Sequence, residues 1–357
     1  MPAASHTRYL LAALCSLAGA CRTTLGPTAG ITHLRVDNPA RLQLSLAVVE
    51  GDAVRPLVEL GDAASHALDL LPGAYVLHAH GTGGELTIPV PLFGNALTAD
   101  ATLRLVVTPP PTNANAMPGF ALVPAGPAVI GDTLGIGQED ERPPRIVDVP
   151  AFLLAAREVS NEEFAGFLTA AGAGIDPAWA AFDSRKFRCT RSTDGTWTTD
   201  APRLPVVTIS LAGARAYCAW RTHATGVRHR LPTEVEWEKA ARGPESFVFA
   251  YGNSYRRDAA NQESGTLREV GSFAANGFNL CDMTGNAFEW TSDAWRDPRR
   301  PELTTATGFH VLRGGSFVLD GMYLRNSFRM RQRPDVRTDD IGVRVARDLT
   351  DTRSSDR

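Results

Sequence analysis

Between residues 31 and 108, apolar and polar positions alternate with a period of two. Leu42, Leu44, Leu46 and Val48 interleave with Arg41, Gln43, Ser45 and Ala47, and Leu103, Leu105 and Val107 repeat the pattern. Successive side chains of a strand point to opposite faces, so this period predicts half-buried strands. Leu71-Pro72-Gly73-Ala74-Tyr75 reads as a turn opening a strand that runs to His80, and Gly81 to Gly84 as the next turn. Short strands at this spacing predict a small antiparallel sandwich.

The pattern changes after Pro109-Pro110-Pro111, a proline-stiffened linker that runs to Pro118-Gly119. Beyond it lie short helical patterns among many loops. Ser160-Asn161-Glu162-Glu163 is a capping box, with Val159 and Phe164 placed to staple it and Phe167 and Leu168 continuing the apolar face. Thr233-Glu234-Val235-Glu236 is a second capping box, opening a helix to about Arg242. Ala214 to Trp220 carries a helical apolar pattern that places Cys218 in a core. The last hundred residues are rich in Gly, Asn and Arg. The organisation expected is a targeting segment over 1–21, a β-sandwich over 22–108, a linker over 109–117, a larger domain over 118–348 and a polar tail over 349–357.

Composition narrows the setting. The 357 residues are 43% hydrophobic and 21% charged, enough for a real core, and the net charge of −3 gives no reason to expect a nucleic-acid partner. Arg8, the apolar run Tyr9 to Leu17, and Ala18-Gly19-Ala20 form a signal-peptide pattern too short to span a bilayer permanently. Cys21 follows where a lipobox cysteine stands, although Leu17 is one place too early. Export is expected, to the periplasm or as an outer-membrane-tethered lipoprotein that touches membrane only through lipid on Cys21. Of five cysteines, Cys189, Cys218 and Cys281 remain in the mature chain, which allows at most one internal disulfide.

Several side-chain groups invite chemistry. His78 and His80 share a strand face, either solvated or sharing a metal. Asp282 and Glu289 flank a Thr-Gly-Asn turn. Such carboxylates either cap nearby amides or join backbone carbonyls around a hard cation. Glu234 and Glu236 are explained by capping. Arg325, Arg329, Arg331, Arg333, Arg337 and Arg344 crowd the C-terminal segment among Asp335, Asp339 and Asp340. Guanidinium forks there either pair internally or grip a ligand.

A longer set of motifs carries a resemblance. Val123-Pro124-Ala125-Gly126 with Ile130-Gly131-Asp132, Arg157 to Phe164, Pro205-Val206-Val207, Ala216 to Trp220, Arg230 to Gly243, Asp282 to Asp293, Arg313-Gly314-Gly315-Ser316 and Ile341-Gly342-Val343-Arg344 resemble the formylglycine-generating-enzyme (sulfatase-modifying-factor) family. The resemblance spans about two-thirds of the chain. It implies an α+β, C-type-lectin-like fold, here preceded by the small all-β sandwich.

The resemblance also implies a structural calcium held by Asp282 and Glu289 side chains with Gly285 and Ala287 carbonyls, and matches Asn261 to one ligand of a second calcium site. The family's oxidase holds Cu(I) between two cysteines, one three residues after the motif serine and one five further on. Here these are Leu319 and Leu324, so no copper is expected, since Cu(I) needs soft thiolates. The family's iron-dependent branch draws histidines from a helical N-terminal domain, which this chain lacks. The groove implied runs past Ser316, with Phe288, Leu319, Leu324, Arg325 and Arg329 beside it; Phe288 stands where tryptophan is usual.

The function expected is an exported, non-copper member of the family that binds a protein or peptide partner in the cell envelope. The alternative is an oxidoreductase, either formylglycine-generating or using a copper-independent oxidation such as that in siderophore maturation. A carbohydrate-binding module is a third reading, suggested by the lectin-like fold alone.

Overall fold

The computed structural model describes residues 9–10, 32–81, 84–93, 102–109, 118–300 and 308–349. Cys21 and most of the targeting segment, linker residues 110–117 and tail residues 350–357 lie outside the described residues. The architecture is mixed α and β, dominated by short strands, with three α-helices among the described residues. None of those helices is long and apolar enough to cross a membrane.

The N-terminal part holds two four-stranded sheets. One runs β1 (Tyr9–Leu10), β5 (Ser65–Leu70), β2 (Thr32–Asp37), β8 (Thr102–Val106). The other runs β4 (Ala53–Gly61), β3 (Gln43–Glu50), β6 (Gly73–Gly81), β7 (Gly84–Leu92). Leu34, Val36, Leu44, Leu46, Leu68, Leu77, Ile88 and Leu105 enter one shared apolar cluster. In β2 and β8 the alternate residues face outward, whereas in β3, β6 and β7 some alternates, such as Ala47, Val76 and Pro89, are buried as well. The Leu71–Tyr75 turn is fixed by the Tyr75 hydroxyl, which donates to the Leu71 carbonyl at 2.8 Å.

The C-terminal part is assembled from small sheets. β15 (His229–Arg230), β20 (Ala346–Asp348), β12 (Phe152–Ala155) and β9 (Phe120–Val123) form one. β18 (Met330–Gln332), β17 (His310–Arg313), β16 (Phe288–Ala294) and β19 (Ile341–Gly342) form another. β10 (Gly126–Ile130) pairs with β11 (Arg145–Val149), and β13 (Cys189–Arg191) with β14 (Trp197–Thr199).

Both capping boxes form. α1 (Asn161–Ala171) starts with Ser160 Oγ accepting from the Glu163 N–H while Glu163 reaches back to the Ser160 N–H. α3 (Glu234–Arg242) starts in the same way at Thr233 and Glu236. Val159 and Phe164 share one core cluster with Phe167, Leu168 and Tyr217 of α2 (Leu211–Thr225), so packing of these apolar faces supports helices too short to persist alone. Cys189 and Cys218 are buried thiols whose pKa burial pushes up to about 12, and Cys281 is also free.

The two parts touch. The Asn253 and Ser254 N–H groups donate to the Asp52 carboxylate, and Asn253 Nδ2 donates to the Gly51 carbonyl at 2.7 Å. Gly252 holds a φ of +148° there, a backbone conformation that L side chains rarely adopt.

Candidate functional site

The segment after β17 turns on two glycines with positive φ, Gly314 (98°) and Gly315 (74°). A Cβ on Gly314 would lie 3.2 Å from Trp237, and one on Gly315 would lie 2.2 Å from the Leu324 side chain. The turn therefore lets Leu324 pack directly on backbone. Ser316 is fully buried, and its Oγ bonds the Asp340 carboxylate at 3.1 Å. Leu324 is buried with Val248 and Phe249, and the half-buried Leu319 and Tyr251 pack against the same cluster. The two leucines are thus brought together in hydrocarbon. Outside them, Val318, Met322 and Tyr255 are exposed by 52%, 59% and 49%.

Phe288 is a core residue, 3% exposed and near Phe328, rather than a groove wall. Arg325 and Arg329 are engaged internally. Arg325 is buried; its Nη2 donates to Glu141 at 2.6 Å, and Ser327 holds the other oxygen of that carboxylate. Arg329 forks onto Glu234, the first residue of α3, and donates to the Asp140 and Arg296 carbonyls. Glu234 is therefore more than a first-turn acid. It ties α3 to the C-terminal arginine segment, a role that its place in a capping box conceals.

The Asp282–Glu289 segment is deeply buried. Asp282 accepts the N–H groups of Gly271 and Phe273. Glu289 accepts from Trp237 Nε1 at 2.6 Å and from Arg344 Nε at 2.9 and 3.0 Å. Gly285 has a φ of +79°, and a Cβ there would meet the Asn261 carbonyl oxygen at 2.3 Å, so only glycine fits. Asn261 itself is committed: its Nδ2 donates to Thr266 and Asn286, and its Oδ1 accepts from Ser264 Oγ at 2.6 Å.

A third acid, Glu158, joins this region. Its Oε1 accepts from Asn286 Nδ2 at 2.8 Å, while Oε2 has no partner. Burial pushes its pKa well up, Asp282 and Glu289 add to this, and Arg344 opposes it. Three buried carboxylates thus face one buried guanidinium. Sequence reasoning had Glu158 only inside a helix-entry motif; nothing in its local spacing points to Asp282, more than a hundred residues away.

His78 and His80 do share a face, joined by Glu85 at 3.4 and 3.8 Å. Among the described residues, no group of three or more His, Cys, Asp or Glu side chains is arranged to hold a metal. A cleft of about 350 Å³ lies beside Arg157, Glu158, Tyr217 and Arg221, and another of about 460 Å³ lies between β7 and β9. Neither cleft is lined by Ser316, Leu319, Leu324, Arg325 or Arg329.

Comparison with known proteins gives this arrangement a family. The formylglycine-generating enzyme of Thermomonospora curvata is 30% identical over 294 residues, covering 64% of this chain and 93% of the relative. Hercynine oxygenase of Mycolicibacterium smegmatis is 31% identical over 278 residues, covering 65% and 63%. The structure of PvdO from Pseudomonas aeruginosa matches with a TM-score of 0.53 at 28% identity, covering 64% of this chain and 94% of that one. Residues 107–349 match the sulfatase-modifying factor enzyme 1-like domain, and the chain belongs to that family.

Proposed function

We propose that this protein is an exported, non-copper member of the family that binds a protein or peptide partner in the cell envelope, on a C-type-lectin-like domain preceded by a β-sandwich. The observation that carries the reading is the shared packing of Leu319 and Leu324 on Val248 and Phe249. These leucines stand where the family's oxidase holds its copper thiolates. A hydrocarbon side chain has no lone pair for Cu(I), and the volume is already filled. The exposed Val318, Met322 and Tyr255 beside them form an apolar surface suited to a partner.

The test is direct. The purified protein is loaded with Cu(I), desalted, assayed for metal, and incubated in air with a cysteine-containing sulfatase peptide. We expect no stoichiometric copper and an unmodified peptide by mass spectrometry. Copper-dependent aldehyde formation refutes the reading and returns the chain to the oxidases. For the binding half, a photo-crosslinking residue at Met322 should trap a defined partner in the native host that is not trapped from an exposed control position such as Arg55.

A second reading, a copper-independent oxidoreductase, is favoured by the likeness to a hercynine oxygenase. Oxygen consumption with a candidate substrate, unaffected by copper chelation, separates it from the first.

Calcium belongs to the proposal as a structural ion. The acid surplus of Glu158, Asp282 and Glu289 over Arg344, together with the unpartnered Glu158 Oε2, motivates a hard cation here, although these carboxylates as placed are not grouped to hold one and would have to give up present hydrogen bonds to do so. Asp282 and Glu289, with the Gly285 and Ala287 carbonyls, would hold it and so brace the buried turn. Asn261, its side-chain oxygen already taken by Ser264, offers less to a second ion.

A further inference from the structure

Two sheet edges border the groove of about 460 Å³. Glu85, Leu86 and Thr87 of β7 line one side, and Gly119 through Leu122 at β9 line the other. Each strand is paired on one side only, β7 with β6 and β9 with β12. Past Pro124 the two walls close, because Gly126 abuts Ile88 and Leu105, whose side chains lie 3.2 and 3.3 Å from where its Cβ would be.

The register fixes which backbone groups face the groove. In an antiparallel pair, alternate residues turn their N–H and C=O toward the partner strand and away from it. Proline has no N–H, so Pro89 and Pro91, opposite Val76 and Ala74, take the outward positions. Glu85 and Thr87, opposite His80 and His78, share their parity and also point outward. On the other wall, the Ala156 N–H donates to the Gly119 carbonyl at 2.9 Å. Gly119 and Ala121 therefore face β12, and Phe120 and Leu122 turn outward.

Open sheet edges are usually blunted by proline or charge. Pro89 and Pro91 blunt the far half of β7, and β4, at the opposite edge of the same sheet, carries Pro56 beside Arg55. Glu85 and Thr87 keep their N–H groups, and with Leu86 they are the β7 residues that line the groove. Among the described residues, no strand pairs with either edge. Main-chain donors and acceptors on both walls match one class of ligand, an extended polypeptide that bonds along both of its sides.

We propose that this groove takes an extended segment of a partner protein as an added strand, bonded to β7 at Glu85 and Thr87 and to β9 at Phe120 and Leu122. The Glu85 carboxylate, 55% exposed and accompanied by His78 and His80, selects a lysine or arginine in that segment. Phe278 on the groove wall offers an apolar contact to an alternate side chain. The groove shares no residue with the apolar surface around Ser316, so it goes beyond the function proposed above.

A displayed random decapeptide library is panned on the whole protein, and the tightest peptide is synthesised and its affinity measured. Thr87→Pro extends the Pro89/Pro91 pattern: it removes one outward N–H and leaves the pairing to β6 intact. We expect it to weaken binding at least tenfold, and Arg55→Ala, at an exposed position on β4 away from both surfaces, to leave binding unchanged. Amide hydrogen exchange of the unmodified protein should slow at Glu85, Thr87, Phe120 and Leu122 when the peptide is added, a readout that holds even if Thr87→Pro folds poorly. Undiminished binding by a folded Thr87→Pro, or no slowing at these amides, overturns the groove; if Met322→Glu then abolishes binding, a peptide site near Ser316 stands in its place. Failure to enrich any peptide overturns the groove and leaves the copper test above to decide its own question.

Discussion

Arg313 and Glu238 meet as an ion pair with both side chains buried, at 0% and 1% exposure. The same carboxylate accepts from Arg242 at 2.8 Å, one helical turn along α3, and from the Gly131 N–H at 2.8 Å. Arg313 also donates to the Phe328 carbonyl at 2.6 Å. Glu238 thus joins α3, β17 and the loop after β10. Burial pushes its pKa up, but Arg313, Arg242 and the Gly131 N–H outweigh that and hold the carboxyl below its usual range. Losing one partner of such a pair strands the others without compensation. Glu238→Gln should therefore cost about 3–5 kcal/mol of stability. Replacing Arg313 by Met as well should cost less than the sum of the single changes, because the stranded guanidinium is gone. Denaturant titration of the three variants checks this; additive losses would mean that the pair does not act as a unit.

Lys239 gives a pH signature. It is 1% exposed, and its Nζ donates to the Pro124 and Gly126 carbonyls at 2.6 and 2.9 Å, the two bonds a neutral amine can make. Burial pushes its pKa down to about 7, against a weaker upward pull from Asp148. A lysine in the unfolded chain titrates near 10.4. Above about pH 7 the unfolded chain binds the extra proton, so this group makes the folded state gain stability as pH rises. Above about pH 9 the effect is opposed by Cys189 and Cys218, whose thiols stay protonated when folded and ionise when unfolded. Unfolding free energy should climb between about pH 7 and 9, with a slope no steeper than about 1.4 kcal/mol per pH unit, and Lys239→Met should flatten it. An unchanged slope in Lys239→Met assigns the effect to another group.

Local signals were legible where one element carries its own rule. The alternation at Leu42–Val48 became β3, and Ser160/Glu163 and Thr233/Glu236 became capping boxes. The site was legible only by resemblance, and its electrostatics were not. Whether Arg325 faces a ligand or Glu141 depends on a contact across 184 positions, and no spacing rule reaches that far. Glu158 lies next to Asp282 for the same long-range reason. The Pro89/Pro91 alternation acquires its meaning only from the pairing of β7 with β6, where a residue without an N–H suits the positions turned away from the partner strand.

The mature N-terminus is open to a simple measurement. Arg8, the apolar run to Leu17 and Ala18-Gly19-Ala20 predict cleavage before Cys21. Mass spectrometry of protein from its native host should show a chain beginning at Cys21, carrying diacylglycerol if it is a lipoprotein. An intact Met1 would remove export from the proposal.

Calcium leads to the last prediction. Glu158, Asp282 and Glu289 are 2%, 4% and 1% exposed, and they face Arg344 at 0%. Both oxygens of Glu289 are bonded to Arg344, so a cation must share that carboxylate rather than find it free. Asp282 holds a φ of +56° while accepting two backbone N–H groups, and the turn it anchors runs straight into β16. An ion that binds only this folded arrangement stabilises it by mass action, about 2.7 kcal/mol at a hundred times its Kd. Chelation should lower the melting temperature, and added calcium should restore it. Asp282→Ala should abolish that response while keeping the Arg344–Glu289 pair, which makes it a cleaner probe than Glu289→Ala. A melting temperature indifferent to both chelator and calcium would leave Asp282 as a cap on the Gly271 and Phe273 amides. Glu158, whose pKa burial pushes well up with Asp282 and Glu289 adding to it, would then be the acid of the three most disposed to carry a proton.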